Sequence, residues 1–273
     1  MTDRYAVIGH PISHSKSPLI HSLFAQATGQ DLEYTAIEGH PGAFAQDLAA
    51  FQRAGGKGLN ITLPFKVDAF ACATHPTDRA RIAGAVNAIK FDGDRVLADN
   101  FDGVGLMRDV EHNLGISIRN KRVLILGAGG ATRGLIEPLM ACQPAQVWIA
   151  NRTLSNAVAL ANDLAGVSHI NTSTFADVDG PFDIVFNATS ASLTGEAPPL
   201  PPQAFGSGAL AYDLVYGKGL TPFLKFAQQA CPDVVVADGV GMLVEQAAEA
   251  FAWWRGVRPG TAEVIQRLTV PLV

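Results

Sequence analysis

Several features that would narrow the function quickly are missing from this chain. No run of apolar residues approaches the roughly 18 needed to cross a bilayer, so no membrane-spanning helix is expected. No tract of Lys and Arg occurs, and 20 basic against 25 acidic residues leave a net charge of −5, which removes the electrostatic case for nucleic acid. Cysteine is scarce. Cys72, Cys142 and Cys231 are odd in number, far apart and in no metal-binding spacing, so neither a disulfide framework nor a metal site is expected. The opening MTDRYAVIGHPIS lacks the apolar stretch and cleavage site of a secretory signal and reads as a first strand. Charge is low throughout at 16% of residues, while 48% are hydrophobic, which excludes wholesale disorder and suits a well-buried α/β protein. A reduced, metal-free, cytoplasmic chain is the expectation.

What the chain does have is glycine in an informative place. KRVLILGAGGATR, residues 121–133, passes from a short basic lead into an apolar strand (Val123, Leu124, Ile125, Leu126), then a Gly127, Ala128, Gly129, Gly130 turn, then a helical pattern from Ala131. An unbroken apolar run is the mark of a parallel strand covered by helices on both faces. The glycines allow a sharp turn and leave room for a phosphate at the amides, where the next helix presents its N-terminal dipole. In this context the turn is that of a dinucleotide-binding βα unit. The next strand, Gln146–Ala150, ends in Asn151, Arg152 and Thr153, 24 residues beyond Gly127. A free ribose 2′-hydroxyl usually meets an Asp or Glu about 20 residues on. The strand tip here offers an amide, a guanidinium and a hydroxyl, and no carboxylate. Arg152 can fork onto a 2′-phosphate and stack on adenine. The alternative is a strand-end Arg facing solvent; after such a turn, NADP is favoured over NAD.

The first hundred residues alternate strands (5–8, 32–37, 58–63) with helices (from Ser17, and 43–53). Ser17 is a candidate N-cap with Pro18 behind it, Gly29 stops that helix, and Pro64 ends the third strand. A late strand pair, 85–91 and 96–99, brackets the Asp92-Gly93 turn. A second series of strands follows at 123–126, 147–150, 169–170, 184–187, 209–214 and 234–237, with a Pro-rich surface loop at 197–202 and a closing helix at 241–254. The expected fold is α/β in two domains, 1–102 and 103–239, the second a Rossmann-type doubly wound sheet. The helices of about 240–273 are expected to pack back on the first, and a cleft between the two is expected to hold the ligands.

Four segments rich in short polar side chains fall at expected strand ends or helix starts: SKS (15–17), NITLPFK (60–66), GAVN (84–87) and DNFDGVG (99–105). Ligands of open α/β sheets bind beyond the carboxyl ends of strands. Together with HPISHSKSPLIH, GAVNAI, GAGGATR, NRT, NATS, YDLVYGKGLTPF and DGVGMLVEQAAEAF, in order along nearly the whole chain, they make the sequence resemble the shikimate dehydrogenase family.

The resemblance implies NADP-dependent interconversion of 3-dehydroshikimate and shikimate in the shikimate pathway of aromatic amino-acid biosynthesis. Residues 1–102 would be the substrate-binding catalytic domain and 103–239 the NADP-binding one. It implies Lys66 and Asp102 as the catalytic pair, Ser15 and Ser17 on the substrate carboxylate, and Asn60, Thr62, Asn87 and Gln246 on the ring hydroxyls. Tyr216 would lie near the carboxylate and the nicotinamide. Gly127, Ala128, Gly129, Gly130 and Ala131 would meet the pyrophosphate, Asn151, Arg152 and Thr153 the adenosine end, Asn187, Thr189 and Ser190 the cofactor's flank, and Gly239 and Met242 the nicotinamide.

An ammonium beside a ketone oxygen can stabilise the developing alkoxide and pass it a proton. Each residue also has a plainer reading: a solvated first-turn Lys, a capping Ser17, an amide bonded to backbone, a packed Tyr. One departure stands out. The family commonly has Thr directly before the catalytic Asp, where this chain has Phe101. Either that hydroxyl is dispensable, or the ring packs behind the site and narrows it. His10, His14 and His21 straddle a turn and a helix without a carboxylate and read as surface or packed histidines, and Trp253-Trp254 as helix packing. Two other readings remain: a quinate/shikimate dehydrogenase that tolerates NAD, and a non-catalytic metabolite sensor, which could dispense with Lys66. The expected partner is a small-molecule substrate; a homodimer stays open, since no interface patch can be read from one chain.

Overall fold

The computed structural model describes residues 2–166, 169–217 and 219–272. The chain forms two compact units, residues 1–105 with 243–266, and residues 106–242 with 267–273. In the first lie β1 (Asp3–Gly9), α1 (Ser17–Thr28), β2 (Leu32–Glu38), α2 (Phe44–Arg53), β3 (Gly56–Ile61), α3 (Lys66–Cys72), β4 (His75–Pro76), α4 (Asp78–Ala83), β5 (Ala88–Asp92) and β6 (Arg95–Asp99). The division falls within α5 (Asp102–Arg108), which runs on into a π-helical turn. The second unit holds β7 (Arg122–Leu126), α6 (Gly130–Ala141), β8 (Gln146–Ala150), α7 (Leu154–Asp163), β9 (Asn171–Ser173), β10 (Phe182–Asn187), β11 (Phe205–Asp213), α8 (Pro222–Ala230) and β12 (Val235–Asp238). Then come α9 (Val240–Arg255) and α10 (Ala262–Leu268).

The sheet of the first unit runs β2-β1-β3-β5-β6-β4 and is mixed. β1 pairs in parallel with β2 and β3, whereas β5 runs antiparallel to both β3 and β6. The hairpin has a functional consequence. Asn60 at the end of β3 lies opposite Ala88 at the start of β5, which lies opposite Asp99 at the end of β6. Three loops far apart in sequence therefore emerge at one edge. The core beneath them is apolar and sealed, with Ala6, Leu59, Phe65, Ala69, Ala80, Val86, Ile89 and Ala98 at 0% exposure.

The second sheet is wholly parallel, in the order β12-β11-β10-β7-β8-β9. Read from β9, this is the doubly wound order, and the direction in which successive strands are added reverses between β7 and β10, where such sheets take their ligand. Val123, Leu124, Ile125 and Leu126 are all at 0% exposure, as an apolar run covered on both faces requires.

Some local expectations change. Ser17 is the first helical residue of α1, and its cap position is Lys16, with no side-chain cap. The third strand of the second series is Asn171–Ser173, displaced from 169–170. β4 and α4 were not expected. α4 is short, but it is capped by the Thr77 hydroxyl, which accepts from the Ala80 amide at 3.2 Å, and closed by Gly84 in the left-handed conformation. The Pro-rich loop is only partly superficial: Pro198 and Leu200 are buried, Leu200 at 6% exposure.

Candidate active site

Lys66 opens α3 directly after the turn that leaves β3, where the Phe65 amide donates to Thr62 O at 3.0 Å. Its carbonyl accepts from the Val86 amide at 2.9 Å, so the segments carrying Lys66 and Asn87 are tied through backbone. The Lys66 ammonium donates to Asp102 Oδ2 at 2.5 Å. Both side chains keep some solvent contact, 27% and 18%, so the attraction is partly screened and the pair matters more for placement than for stability.

Asp102 is held from three sides. Its Oδ1 accepts from Asn87 Nδ2 at 2.8 Å, its Oδ2 from Lys66, and its amide donates to Asn100 Oδ1 at 3.1 Å, so Asn100 caps α5. Asn100 is fixed in turn by the buried Asp99. That carboxylate takes a two-pronged contact from Arg79 (3.1 and 2.7 Å), the Thr77 hydroxyl (2.7 Å) and the Asn100 amide (2.7 Å). A buried carboxylate with every partner supplied makes a rigid anchor. The Asp99 anchor was not foreseen, although it lies inside the DNFDGVG motif; an Asp at a strand end carries no mark that it will meet an Arg 20 residues earlier.

Asn87 is 2% exposed and bonded outright: Nδ2 donates to Asp102 and to Gln246 Oε1 (3.2 Å), and Oδ1 accepts from the Phe101 amide (2.8 Å). Asn60, 5% exposed, donates from Nδ2 to Asn87 O at 3.3 Å. Gln246 on α9 also donates to Leu243 O at 2.8 Å. Ser15 Oγ accepts from the Ser17 amide at 3.3 Å, bringing the two serines together at the start of α1. Thr62 is anchored through its amide, which donates to Ile8 O at 3.0 Å. The first unit thus gathers Lys66, Asp102, Asn87, Asn60 and Gln246 into one hydrogen-bonded chain.

Phe101 resolves the departure noted above. Its ring is 5% exposed, packed with Tyr5, Ala88, Ala250 and Trp254, edge-on to Trp253 (5.8 Å between centroids) and under the Arg79 guanidinium (5.4 Å). The side chain belongs to the core behind Asp102, and only its amide faces the chain of bonds. His10 pairs with Glu38 at 2.7 Å, while His21 is fully buried.

In the second unit, Gly127 ends β7 at φ 101°, a conformation open to glycine, and a Cβ there would stand 3.2 Å from Thr189 Cγ2. The Thr132 hydroxyl donates to Gly127 O at 2.7 Å and fastens the turn to α6. α6 starts at Gly130 with no side-chain cap and no acidic residue in its first turn, and a Cβ at Gly129 or Gly130 would meet nothing within 4 Å. Ala128 and Ala131 border the same turn, which leaves free amides under open space. This fits an anionic dinucleotide. At the tip of β8, Asn151 Nδ2 donates to Thr153 O at 2.9 Å, and Arg152 is exposed.

Across the reversal point, Leu126 of β7 is in register with Asn187 of β10. Asn187 is fully buried and bonds inward: Oδ1 accepts from the Thr189 hydroxyl (2.7 Å) and amide, and Nδ2 donates to Asp213 Oδ1 (3.1 Å). Asp213, also missed from sequence, takes the Ser192 and Thr221 hydroxyls at 2.6 Å each. Ser190 is exposed. Gly239 has no room for a Cβ, which would fall 2.3 Å from Leu214 O. Met242 follows in the first turn of α9, its amide donating to the buried Tyr212 hydroxyl at 3.2 Å, which itself donates to Asp109 Oδ2 at 2.7 Å. Tyr216 is 40% exposed; burial around its phenol, then Asp238, raises its pKa. Burial likewise raises the Asp238 carboxyl, against the opposing pull of the Gly217 and Val240 amides.

The family comparisons cover both units. Residues 7–89 match the shikimate dehydrogenase substrate binding domain, 109–194 match shikimate/quinate 5-dehydrogenase, and 239–269 match the shikimate 5′-dehydrogenase C-terminal domain. A protein of Dechloromonas aromatica named shikimate dehydrogenase (NADP(+)) is 54% identical over 100% of both chains. The crystal structure of an Ael1 enzyme from Pseudomonas putida is 57% identical with a TM-score of 0.96, covering 100% of both chains. The Thermus thermophilus shikimate 5-dehydrogenase, solved with NADP(H) and shikimate, is 31% identical with a TM-score of 0.87, covering 98% of this chain and 100% of that one. Motifs, fold and identity over full length agree: the chain belongs to the shikimate dehydrogenase family.

Proposed function

We propose that this protein interconverts 3-dehydroshikimate and shikimate with NADP, using Lys66 and Asp102 as its acid–base pair. The observation that carries this reading is the Lys66–Asp102 contact at 2.5 Å, with Asp102 already fixed by Asn87 and Asn100. The Gly127–Gly130 turn and Arg152 would hold the dinucleotide, which would supply hydride chemistry at the carbon bearing the oxygen. This chain's residues manage the proton. In reduction the Lys66 ammonium stabilises the ketone oxygen as it gains charge and gives it a proton; in oxidation the neutral amine takes the hydroxyl proton back, and Asp102 balances the ammonium that forms. Ser15 and Ser17 bind the carboxylate, and Asn60, Thr62, Asn87 and Gln246 the ring hydroxyls. With both Nδ2 hydrogens already engaged, Asn87 has only an Oδ1 lone pair left and acts as an acceptor.

On this reading the first unit binds substrate and the second the dinucleotide, with Asn151, Thr153, Thr189 and Ser190 around the cofactor, Gly239 and Met242 at its nicotinamide end, and Tyr216 near the substrate carboxylate. A cytoplasmic setting suits the three free cysteines and a freely diffusing cofactor. Among the described residues no helix is long and apolar enough to cross a membrane. The test is absorbance at 340 nm with shikimate or quinate and NADP⁺ or NAD⁺ in turn. Rapid NADPH formation from shikimate alone is expected. Comparable rates with quinate or NAD⁺ would move the protein to a broader specificity, and no turnover with any pair would overturn the reading.

A further inference from the structure

Beneath the proposed substrate residues lies a pair of rings that the acid–base chemistry leaves unused. His21 of α1 is at 0% exposure, and neither ring nitrogen has a hydrogen-bond partner. Its ring stacks face to face on Tyr34 of β2, with centroids 4.1 Å apart and planes 5° from parallel, and Phe24, Phe251 and Trp254 close around it. The Tyr34 hydroxyl donates to Asn60 Oδ1 at 2.7 Å and lies close to the Ser17 hydroxyl. Burial holds the His21 pKa down at about 3, against a smaller pull from the nearby Asn60 amide, which does not reach bonding geometry. Burial pushes the Tyr34 phenol upward. Both rings are therefore neutral at working pH, and Tyr34 always has its proton to donate.

An amide has two faces, and a hydroxylated ring reads them differently. Asn60 Oδ1 is committed to the Tyr34 hydroxyl and one Nδ2 hydrogen to Asn87 O. One N–H and one lone pair remain for a ligand, and the amide cannot flip without breaking both bonds. Removing the phenolic donor leaves the amide held by the weaker Asn87 bond alone, so its other face becomes more accessible to a ligand.

We propose that Tyr34, stacked on His21, is a positioning residue for substrate: it fixes the orientation of the Asn60 amide, and hence which atom meets the ring hydroxyl. This rests on the reading of Asn60 as a substrate residue. Tyr34→Phe keeps the ring and its stack and removes only the donor. Shikimate KM and calorimetric Kd are expected to rise roughly five- to tenfold, the scale of one hydrogen bond. The fall in kcat is expected to be smaller, and the KM for NADP⁺ and the melting temperature are expected to stay near wild type. In an Asn60→Ala background the same change is expected to have less than about a twofold effect, because its target is gone.

Several results overturn the proposal: wild-type shikimate binding in folded Tyr34→Phe, a full effect surviving in the Asn60→Ala background, or both KM values rising together with a lowered melting temperature. Should Tyr34→Phe not fold, His21→Leu removes the ring beneath Tyr34 and is expected to raise the shikimate constants about twofold; no change there overturns it equally. A wild-type protein that neither binds nor oxidises shikimate overturns the functional reading and this one with it. A wild type that does both, matched by Tyr34→Phe, overturns this one alone.

Discussion

The two candidate sites are built on opposite principles. In the first unit the proposed functional atoms are side chains from four separated segments, bonded to one another: Lys66 to Asp102, Asp102 to Asn87, Asn87 to Gln246, Asn60 to the Asn87 backbone. In the second, the proposed anion site is backbone at a glycine turn, and the polar side chains nearby, such as Asn187 and Asp213, face inward and hold loops. Proton transfer needs a group at one point in one protonation state, and only a cross-braced side chain can be that exact. Holding a pyrophosphate needs several N–H groups of fixed direction, which a helix start supplies without side chains. Damage to the first region should therefore appear in turnover, and damage to the second in cofactor affinity.

The largest effect expected is from Lys66→Ala, which should lower kcat by about 10²-fold or more, the scale of general acid–base catalysis. Shikimate binding should change far less; steady-state kinetics beside calorimetry measure both, and near wild-type turnover would remove the contrast. Arg152→Ala is the counterpart. The KM for NADPH should rise about tenfold or more, the worth of a charge-assisted bond, with kcat and the KM for NADH little changed. An equal effect on both cofactors would remove the case for a 2′-phosphate at Arg152.

A smaller effect concerns stability. Unfolded, His21 takes up a proton as pH falls below 6.5; folded, it stays neutral down to about 3. Across that window the unfolded chain holds the extra proton, so stability present at neutral pH is lost on acidification, by up to about 1.4 kcal/mol per unit from this residue. Urea unfolding of His21→Phe at several pH values from 7 to 4 should show a shallower decline than wild type; identical slopes would mean His21 is not held neutral. The smallest effect expected is from Lys121→Ala. Its pair with Asp183, at 3.2 Å, is about 40% exposed on both sides, so melting should register a loss of about 0.5 kcal/mol or less.

The second unit was the more legible in sequence. Its apolar strands and glycine turn are local signals, because burial on both faces and a positive φ each leave their mark within a few residues. The first unit was legible in its motifs but not in its wiring. Nothing near Asp99 announces Arg79, and nothing near Asn60 announces Tyr34, because each pairing is made by the tertiary fold. The β5–β6 hairpin was legible from its Asp92-Gly93 turn, but its antiparallel pairing with β3 was not, for the same reason. Phe101 shows the limit most clearly. Its identity raised a question about the substrate site, and only its packing against Trp253 and Arg79 answered it.

By itself, then, the sequence determined the α/β class, the dinucleotide turn, the missing carboxylate at Arg152 and the residue types available for proton transfer, all properties of neighbours along the chain. The tertiary structure decided which of those residues meet. Asp102 faces Lys66 because Asn100, Asp99 and Arg79 hold the end of β6, and Asn60 presents one face of its amide because Tyr34 holds the other. A hydrogen bond is satisfied within about 3 Å, and only the folded sheet brings residues tens of positions apart to that distance.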